Sequence, residues 1–129
     1  MLLKSQLRVM VVDDMSVSRG LIEQALDWAG ISNVQYEADG ASALKRLVAA
    51  PVHLVISDYN MPGMDGISLL EALRSNKTTH RMGFILITGK ADRPLLERGQ
   101  RAGMNNFLTK PFTKEALLRC VESVTGKLQ

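Results

Sequence analysis

Residues 55–66, VISDYNMPGMDG, contain the pattern that decides the fold. A short apolar run ends on an acid, Asp58, and the residues that follow, Asn60, Pro62 and Gly63 among them, favour a sharp turn. A continuous apolar run of this length is typical of a strand buried on both faces of a parallel sheet. Such a strand does not need a carboxylate at its tip, so Asp58 is predicted to carry chemistry.

The same kind of run occurs on both sides of this stretch, as RVMVVD at 8–13 and GFILIT at 83–88. Weaker strand candidates, NVQYEA at 33–38 and NNFLTK at 105–110, are expected nearer the sheet edges. Segments of helical length separate these runs, at 15–30, 40–50, 66–76, 91–103 and 114–128. This alternation predicts an α/β fold, in which a five-stranded parallel sheet is covered by helices on both faces. Ser16 is the expected N-cap of the first helix, and Trp28 is expected in the core.

Composition limits the class of protein. A chain of 129 residues has the size of one domain, and 46% hydrophobic with 22% charged residues excludes a disordered chain. No apolar run approaches the ~20 residues of a membrane span, and no signal peptide is recognisable. The single cysteine, Cys120, excludes an internal disulfide and is expected to be a buried apolar residue. These features predict one cytoplasmic domain over residues 1–129, without membrane association.

Charge is distributed unevenly along the chain. Residues 1–70 hold 5 basic and 8 acidic residues, whereas residues 71–129 hold 11 basic and 5 acidic residues. The basic half lacks the interleaved aromatic residues and the reading motifs of nucleic-acid-binding proteins. Nucleic-acid binding is therefore not expected.

Polar residues are concentrated at the ends of the predicted strands. In a parallel α/β sheet, ligands bind beyond the carboxyl ends of the strands. Three carboxylates, a hydroxyl and an ammonium should meet there: Asp13, Asp14, Asp58, Thr88 and Lys110. Clustered carboxylates repel one another unless a cation joins them, which predicts a Mg²⁺ site, with Mn²⁺ as a substitute.

A phosphoryl group fits the remaining donors. Lys110 would balance its charge and Thr88 would donate a hydrogen bond to it. Asp58, at the tip of a central strand, is the predicted nucleophile, and the turn after it could aim the carbonyl of Asn60 at the metal.

Four segments together resemble a known family: RVMVVDDMS, VISDYNMPGMDG, FILITGK and NNFLTKPF. In order and spacing they are similar to the receiver domain of two-component response regulators over nearly the whole chain. The resemblance implies a flavodoxin-like, doubly wound sheet with strand order 2-1-3-4-5. It also implies that Asp58 accepts a phosphoryl group from the phosphohistidine of a sensor histidine kinase or a phosphotransfer protein.

The family pattern also assigns the other site residues. Asp14, Asp58 and the Asn60 carbonyl would bind Mg²⁺ directly, and Asp13 mainly through water. Thr88 and Lys110 would contact the phosphoryl oxygens, and the Lys110–Pro111 bond is typically cis. The receiver is a phosphoacceptor with self-catalysed transfer and autodephosphorylation rather than an enzyme acting on a separate substrate.

A receiver without an output domain must signal through protein contacts. Single-domain members are often CheY-like chemotaxis regulators, which bind a flagellar motor switch component when phosphorylated, and this role is favoured here. A phosphorelay shuttle or a phosphate sink is the alternative. The protein is expected to be a monomer.

Two positions depart from the best-known chemotaxis pattern. The signalling aromatic residue is Phe107 rather than tyrosine, so a switch that couples it to Thr88 would act through packing alone. Lys90 stands two residues after Thr88 and, with Asn60, flanks the family's path for the water that removes the phosphoryl group. Asn60 and Lys90 are therefore predicted to tune the lifetime of the phosphoryl group, and the sequence does not indicate whether they lengthen or shorten it.

The readout face of the family corresponds to helix four, strand five and helix five. A basic docking surface for an acidic partner is predicted there, and a solvated helix face is the alternative. Its residues are Lys90, Arg93, Arg98, Arg101, Lys114 and Arg119.

Two further classes of protein fit the sequence less well than the receiver does. An aspartyl phosphatase of the haloacid-dehalogenase type usually has a second aspartate two residues after the nucleophile, where this chain has Asn60. A flavin-binding flavodoxin is disfavoured because the loop DDMSVS is acidic where a flavin phosphate would bind.

Overall fold

Five parallel strands alternate with five α-helices in the computed structural model, which describes residues 3–129. The strands are β1 (Val9–Val12), β2 (Val34–Glu37), β3 (Leu54–Asp58), β4 (Gly83–Thr88) and β5 (Asn106–Thr109). The helices are α1 (Ser16–Trp28), α2 (Gly40–Ala49), α3 (Gly66–Arg74), α4 (Arg93–Ala102) and α5 (Lys114–Thr125). The strand order is β2-β1-β3-β4-β5, which confirms the predicted fold. None of the helices within residues 3–129 has the length and apolar character needed to cross a membrane.

The register of the central strands places their carboxyl ends at one rim. Val12 of β1 is paired with Ser57 of β3, and Asp58 is paired with Ile87 of β4. The strand order reverses between β1 and β3, so Asp13 and Asp58 lie at the crevice where α/β proteins bind ligands.

The sheet separates two apolar layers. On one face, α1 and α5 pack on residues such as Val9 and Ile56. On the other face, α2, α3 and α4 pack on residues such as Met10 and Phe84. Each fully buried side chain of this size stabilises the fold by about 1.5–3 kcal/mol. Cys120 is buried in the first layer, as predicted, and burial raises the pKa of its thiol to about 11.

Most helices begin at a side chain that accepts a backbone hydrogen bond, which is the usual N-cap arrangement. The N-caps of α2, α3, α4 and α5 are Asp39, Asp65, Asp92 and Thr113. Helix α1 differs, because its N-cap is Met15, which has no capping side chain, and Ser16 is the first helical residue. The expected Ser16 cap was wrong because Ser16 is already helical, and the turn before it is held by the Asp13 carboxylate, which accepts a hydrogen bond from the backbone N–H of Met15 at 3.0 Å.

Trp28 does not lie in the core. Helix α1 buries Ile22, Ala25 and Leu26 against the sheet, whereas Trp28 is 48% exposed. Trp28 shares its side of the helix with Leu21, which is also exposed, because residues seven apart lie on one face. The prediction was wrong because α1 carries a second apolar stripe that points away from the sheet.

Candidate phosphoacceptor and metal site

Three carboxylates meet at the rim of the sheet. Asp13 follows β1, Asp58 ends the neighbouring β3, and Asp14 stands next in the loop that leads to α1. Each offers an oxygen atom, and these oxygens lie within 4.8 Å of one another. Asp13 is fully buried and Asp58 is 6% exposed, whereas Asp14 is open to solvent. The structure therefore brings together the acidic residues that the sequence predicted.

Lys110 reaches this cluster from the end of β5. Its Nζ lies 3.0 Å from Oδ1 of Asp58 and 3.8 Å from Oδ2 of Asp13. The same ammonium donates a hydrogen bond to Oγ of Ser18 at 2.9 Å. The Lys110–Pro111 bond is cis, as the family pattern implied. Ser18 was missed by the sequence reasoning, because its place at the rim depends on how the first turn of α1 is oriented.

The environment of Asp13 fits a cation. Its Oδ1 accepts the Met15 N–H, and its backbone oxygen accepts a hydrogen bond from Nη1 of Arg19 at 2.7 Å. Its Oδ2 is buried and has no hydrogen-bond partner among residues 3–129. A buried carboxylate oxygen without a donor is costly, and a hard divalent ion with oxygen ligands would satisfy it. The residues present therefore fit Mg²⁺, with Asp13, Asp14 and Asp58 as the carboxylates that would hold it.

The pKa of Asp58 is raised in the folded protein. Burial is the largest cause; the hydrogen bond and charge of Lys110 act in the opposite direction, and the charges of Asp13 and Asp14 raise the pKa further. A nucleophilic carboxylate must be ionised, and ionising Asp58 in this site costs free energy. A bound cation would lower that cost.

Thr88 lies at the rim, but its hydroxyl is engaged by its own loop. It is 3% exposed, and Oγ1 accepts from the backbone N–H of Lys90 and donates to the backbone oxygen of Lys90, both at 3.2 Å. Asn60 and Lys90 are exposed and line one cleft of about 400 Å³ together with Thr88. The three residues that the sequence assigned to phosphoryl binding and release therefore share one opening, which Tyr59 also lines.

Phe107 lies in β5 opposite Leu86. It is partly buried and packs on the core layer beneath α2, α3 and α4. Next to Thr88, an added Cβ on Gly89 would meet no atom within 4 Å, so there is open space at this point. Coupling between Thr88 and Phe107 remains a prediction.

The six basic residues of the predicted partner face do not all point the same way. Arg93 pairs with Glu97 at 3.0 Å along α4, and Arg98 donates to the hydroxyl of Tyr59. Lys114 lies over the ring of Trp28, 4.8 Å from its centroid, and so extends toward α1. Lys90, Arg101 and Arg119 are exposed.

An apolar groove adjoins the site on the side of α1. It has a volume of about 600 Å³ and runs between α1 and the start of α5. Leu21, Trp28 and Phe112 supply apolar walls, and Ser18 and Lys110 line it as well. The groove therefore shares two residues with the phosphoacceptor site.

The comparisons with known proteins agree with this geometry. Residues 9–122 match the response regulator receiver domain family. A probable chemotaxis protein CheY of Rhizobium etli is 41% identical over 129 residues, which is 100% of each chain. Chemotaxis protein CheY-3 of Vibrio cholerae is 32% identical over 127 residues, covering 98% of each chain.

Solved structures show the same architecture. Chemotaxis protein CheY4 of Vibrio cholerae, at 30% identity, superposes with a TM-score of 0.85 over 92% of this chain and 98% of that one. The receiver domain of a sensor histidine kinase from Pseudomonas aeruginosa, at 28% identity, gives a TM-score of 0.85 over 94% of this chain and 98% of that one. That structure holds a magnesium ion coordinated in its active site cleft.

The chain belongs to the response regulator receiver domain family. Within it, the protein is a CheY-like receiver of two-component signalling, because the relatives matched along nearly their whole length carry that name. The predicted family resemblance is confirmed.

Proposed function

We propose that the protein accepts a phosphoryl group on Asp58 from the phosphohistidine of a histidine kinase or phosphotransfer protein. The observation that carries the proposal is the placement of Lys110 Nζ 3.0 Å from Oδ1 of Asp58, within the cluster of three carboxylates. Lys110 occupies one carboxylate oxygen, which leaves the other as the attacking atom. As the new P–O bond forms, the P–N bond to the imidazole breaks, and the imidazole leaves and takes up a proton.

The chain's other residues bind and orient the phosphoryl group. Lys110 balances its charge, and Thr88 donates to it once its hydroxyl leaves Lys90. Asp13, Asp14 and Asp58, with the Asn60 carbonyl, hold Mg²⁺ or its substitute Mn²⁺. When bound, the ion neutralises the carboxylates and the phosphoryl oxygens.

Radiolabel transfer tests this proposal directly. Wild-type protein incubated with labelled acetyl phosphate and Mg²⁺ should incorporate label, and a phosphorylated histidine kinase should label it as well. Asp58→Asn should incorporate none, whereas Asp39→Asn, a change at the exposed N-cap of α2 outside the carboxylate cluster, should behave like wild type. Label on Asp58→Asn equal to wild type would reject Asp58 as the acceptor.

Asn60 and Lys90 are proposed to set how long the phosphoryl group persists. Both border the cleft that Thr88 and Tyr59, the neighbour of Asp58, also line. In the same labelling experiment, the decay of label on Lys90→Ala should differ from that of wild type. Equal decay rates would remove Lys90 from this role.

We infer that the phosphodonor protein docks over the apolar groove beside α1. The groove shares Ser18 and Lys110 with the site, so a partner seated there can place its imidazole next to Asp58. Leu21→Glu should slow labelling by a kinase at least tenfold, because a charge would enter the apolar contact, while labelling by acetyl phosphate should be unchanged. Gln24 lines the same groove and is exposed, so Gln24→Ala is the matched mild control. Equal slowing with both donors would contradict a docking role.

The output is proposed to be chemotaxis signalling through a partner such as a flagellar motor switch component, contacted by the basic residues of α4 and α5. The names of the relatives support this role over the alternatives of a phosphorelay shuttle or a phosphate sink. If raising the salt concentration severalfold hardly changes partner binding, the basic docking surface is wrong.

A further inference from the structure

Tyr59, the residue after Asp58, is hydrogen-bonded to α4. Nη1 of Arg98 donates to the Tyr59 hydroxyl at 3.3 Å. Tyr59 itself is fixed by the sheet, because its backbone N–H donates to the backbone oxygen of Ile87 at 2.8 Å and its ring packs on the core layer. This contact therefore joins the neighbour of the phosphoacceptor to the middle of α4.

The exposed guanidinium of Arg98 is directed toward Tyr59 and α3. The Tyr59 hydrogen bond is the main cause that raises the pKa of Arg98, and the charges of Asp65 and Glu71 add to it. Arg98 also lines a small cleft between α3 and α4, together with Glu71 and Ile67. Its contacts fix how α4 sits beside the phosphoacceptor loop.

Helix α4 is held by few buried residues, and its C-cap Gly103 accepts hydrogen bonds from Arg74. It buries only Leu95 and Gly99, whereas each of the other α-helices within residues 3–129 buries at least three residues. Elements with few buried contacts are those that move most readily. The Arg98 hydrogen bond therefore adds to a small number of contacts that position α4.

We propose that Tyr59 and Arg98 are a positioning pair that holds α4 in the position it has in the unphosphorylated protein. This inference rests on the proposed function, in which Thr88 leaves Lys90 in order to donate to a phosphoryl oxygen. That change displaces the loop between β4 and α4, while Tyr59 stays with β3. The pair is then pulled apart, so it opposes the phosphorylated arrangement. Because Phe107 has no hydroxyl, the phenol that contacts the switch region in this chain is that of Tyr59.

A double-mutant cycle tests the pair. The variants are Tyr59→Phe, Arg98→Gln and their combination, with Arg93→Gln as a control that removes a charge from the same helix. Affinity for beryllofluoride, which mimics the phosphoryl group, is measured by ¹⁹F NMR at saturating Mg²⁺, and affinity for Mg²⁺ alone is measured separately. Each single variant should bind beryllofluoride roughly threefold more tightly than wild type, since one opposing hydrogen bond is removed. The double variant should gain no more than either single one, and Mg²⁺ affinity should not change.

Three results would overturn the proposed role of the pair. They are additive effects in the double variant, unchanged beryllofluoride affinity in the single variants, and weaker beryllofluoride binding, which a merely structural role predicts. A gain in Arg93→Gln equal to that in Arg98→Gln would also overturn it, because charge alone would then explain the effect. Wild-type protein that binds no beryllofluoride would overturn the proposed function, and the pair with it. Normal wild-type binding with an additive cycle would overturn the pair alone.

Discussion

At the scale of single residues, the surroundings of Asp58 disfavour the ionised form of its side chain. Burial is the largest cause that raises the pKa of Asp58, and the charges of Asp13 and Asp14 raise it as well. The hydrogen bond and charge of Lys110 lower the pKa, but the net shift is upward. A carboxyl group whose pKa is raised by folding binds its proton more tightly in the folded state. Its ionisation therefore costs stability, starting as the pH passes the unfolded pKa and reaching the full cost above the folded pKa.

Asp58→Asn should therefore stabilise the metal-free protein at neutral pH. The expected gain in the free energy of unfolding is about 1 kcal/mol, because a charge confined beside two other carboxylates is removed. Urea unfolding in EDTA at pH 7 and at pH 4 measures it, and the gain should shrink at the lower pH. Asp39→Asn, which replaces the acid at the N-cap of α2, is the control and should show no such gain at pH 7. A loss of stability in Asp58→Asn at pH 7 would contradict this account of the site.

At the scale of elements, the start of α3 fixes the tip of β3. Gly66 is the first residue of α3, and its backbone N–H donates to the Tyr59 oxygen at 2.9 Å. A Cβ on Gly66 would lie 2.5 Å from the backbone oxygen of Asp58 and 2.9 Å from Cδ1 of Leu86. Only glycine allows the helix to begin so close to the phosphoacceptor strand.

Gly66→Ala should lower the free energy of unfolding by ~1–3 kcal/mol, because backbone atoms must move to admit the methyl group. The same shift displaces Asp58 from Lys110, so labelling by acetyl phosphate should slow as well. Gly89→Ala is the matched control for stability, since its methyl group would meet nothing within 4 Å. Equal stability changes in the two variants would show that the contact at Gly66 is not tight.

The elements also show what sequence could predict. The strands and the polar residues at their ends follow from short apolar runs that stop at Asp13, Asp58, Thr88 and Lys110, because parallel strands end at one edge. The contacts of Ser18 and Arg98 and the exposure of Trp28 could not be predicted in this way. They depend on how α1 and α4 are rotated against the sheet, which is set by tertiary packing rather than by local pattern.

At the scale of the whole molecule, two separate openings adjoin the carboxylate cluster. The apolar groove lies beside α1, and the cleft with Asn60 and Lys90 lies beside α4. The groove is lined by Lys110, which contacts Asp58, and the cleft is lined by Tyr59, which follows Asp58. The proposed phosphodonor, water and output partner would therefore not compete for one surface.

Metal binding at the rim should stabilise the entire fold, because the site is formed only when β1 and β3 are paired. At a Mg²⁺ concentration 100 times its dissociation constant, the free energy of unfolding should rise by ~2.7 kcal/mol. Thermal unfolding with and without Mg²⁺ measures this, and Asp58→Asn should lose most of the effect. An equal rise in melting temperature for both proteins would place the ion elsewhere.

The most direct test of the central claim is to locate the phosphoryl group chemically. The protein is phosphorylated with acetyl phosphate and Mg²⁺, the acyl phosphate is reduced with borohydride, and the peptides are sequenced by mass spectrometry. If Asp58 is the phosphoacceptor, residue 58 should be recovered as homoserine and the other aspartates should be unchanged. Homoserine at position 13 or 14 instead, or a phosphoryl group that resists reduction because it sits on a histidine, would contradict it.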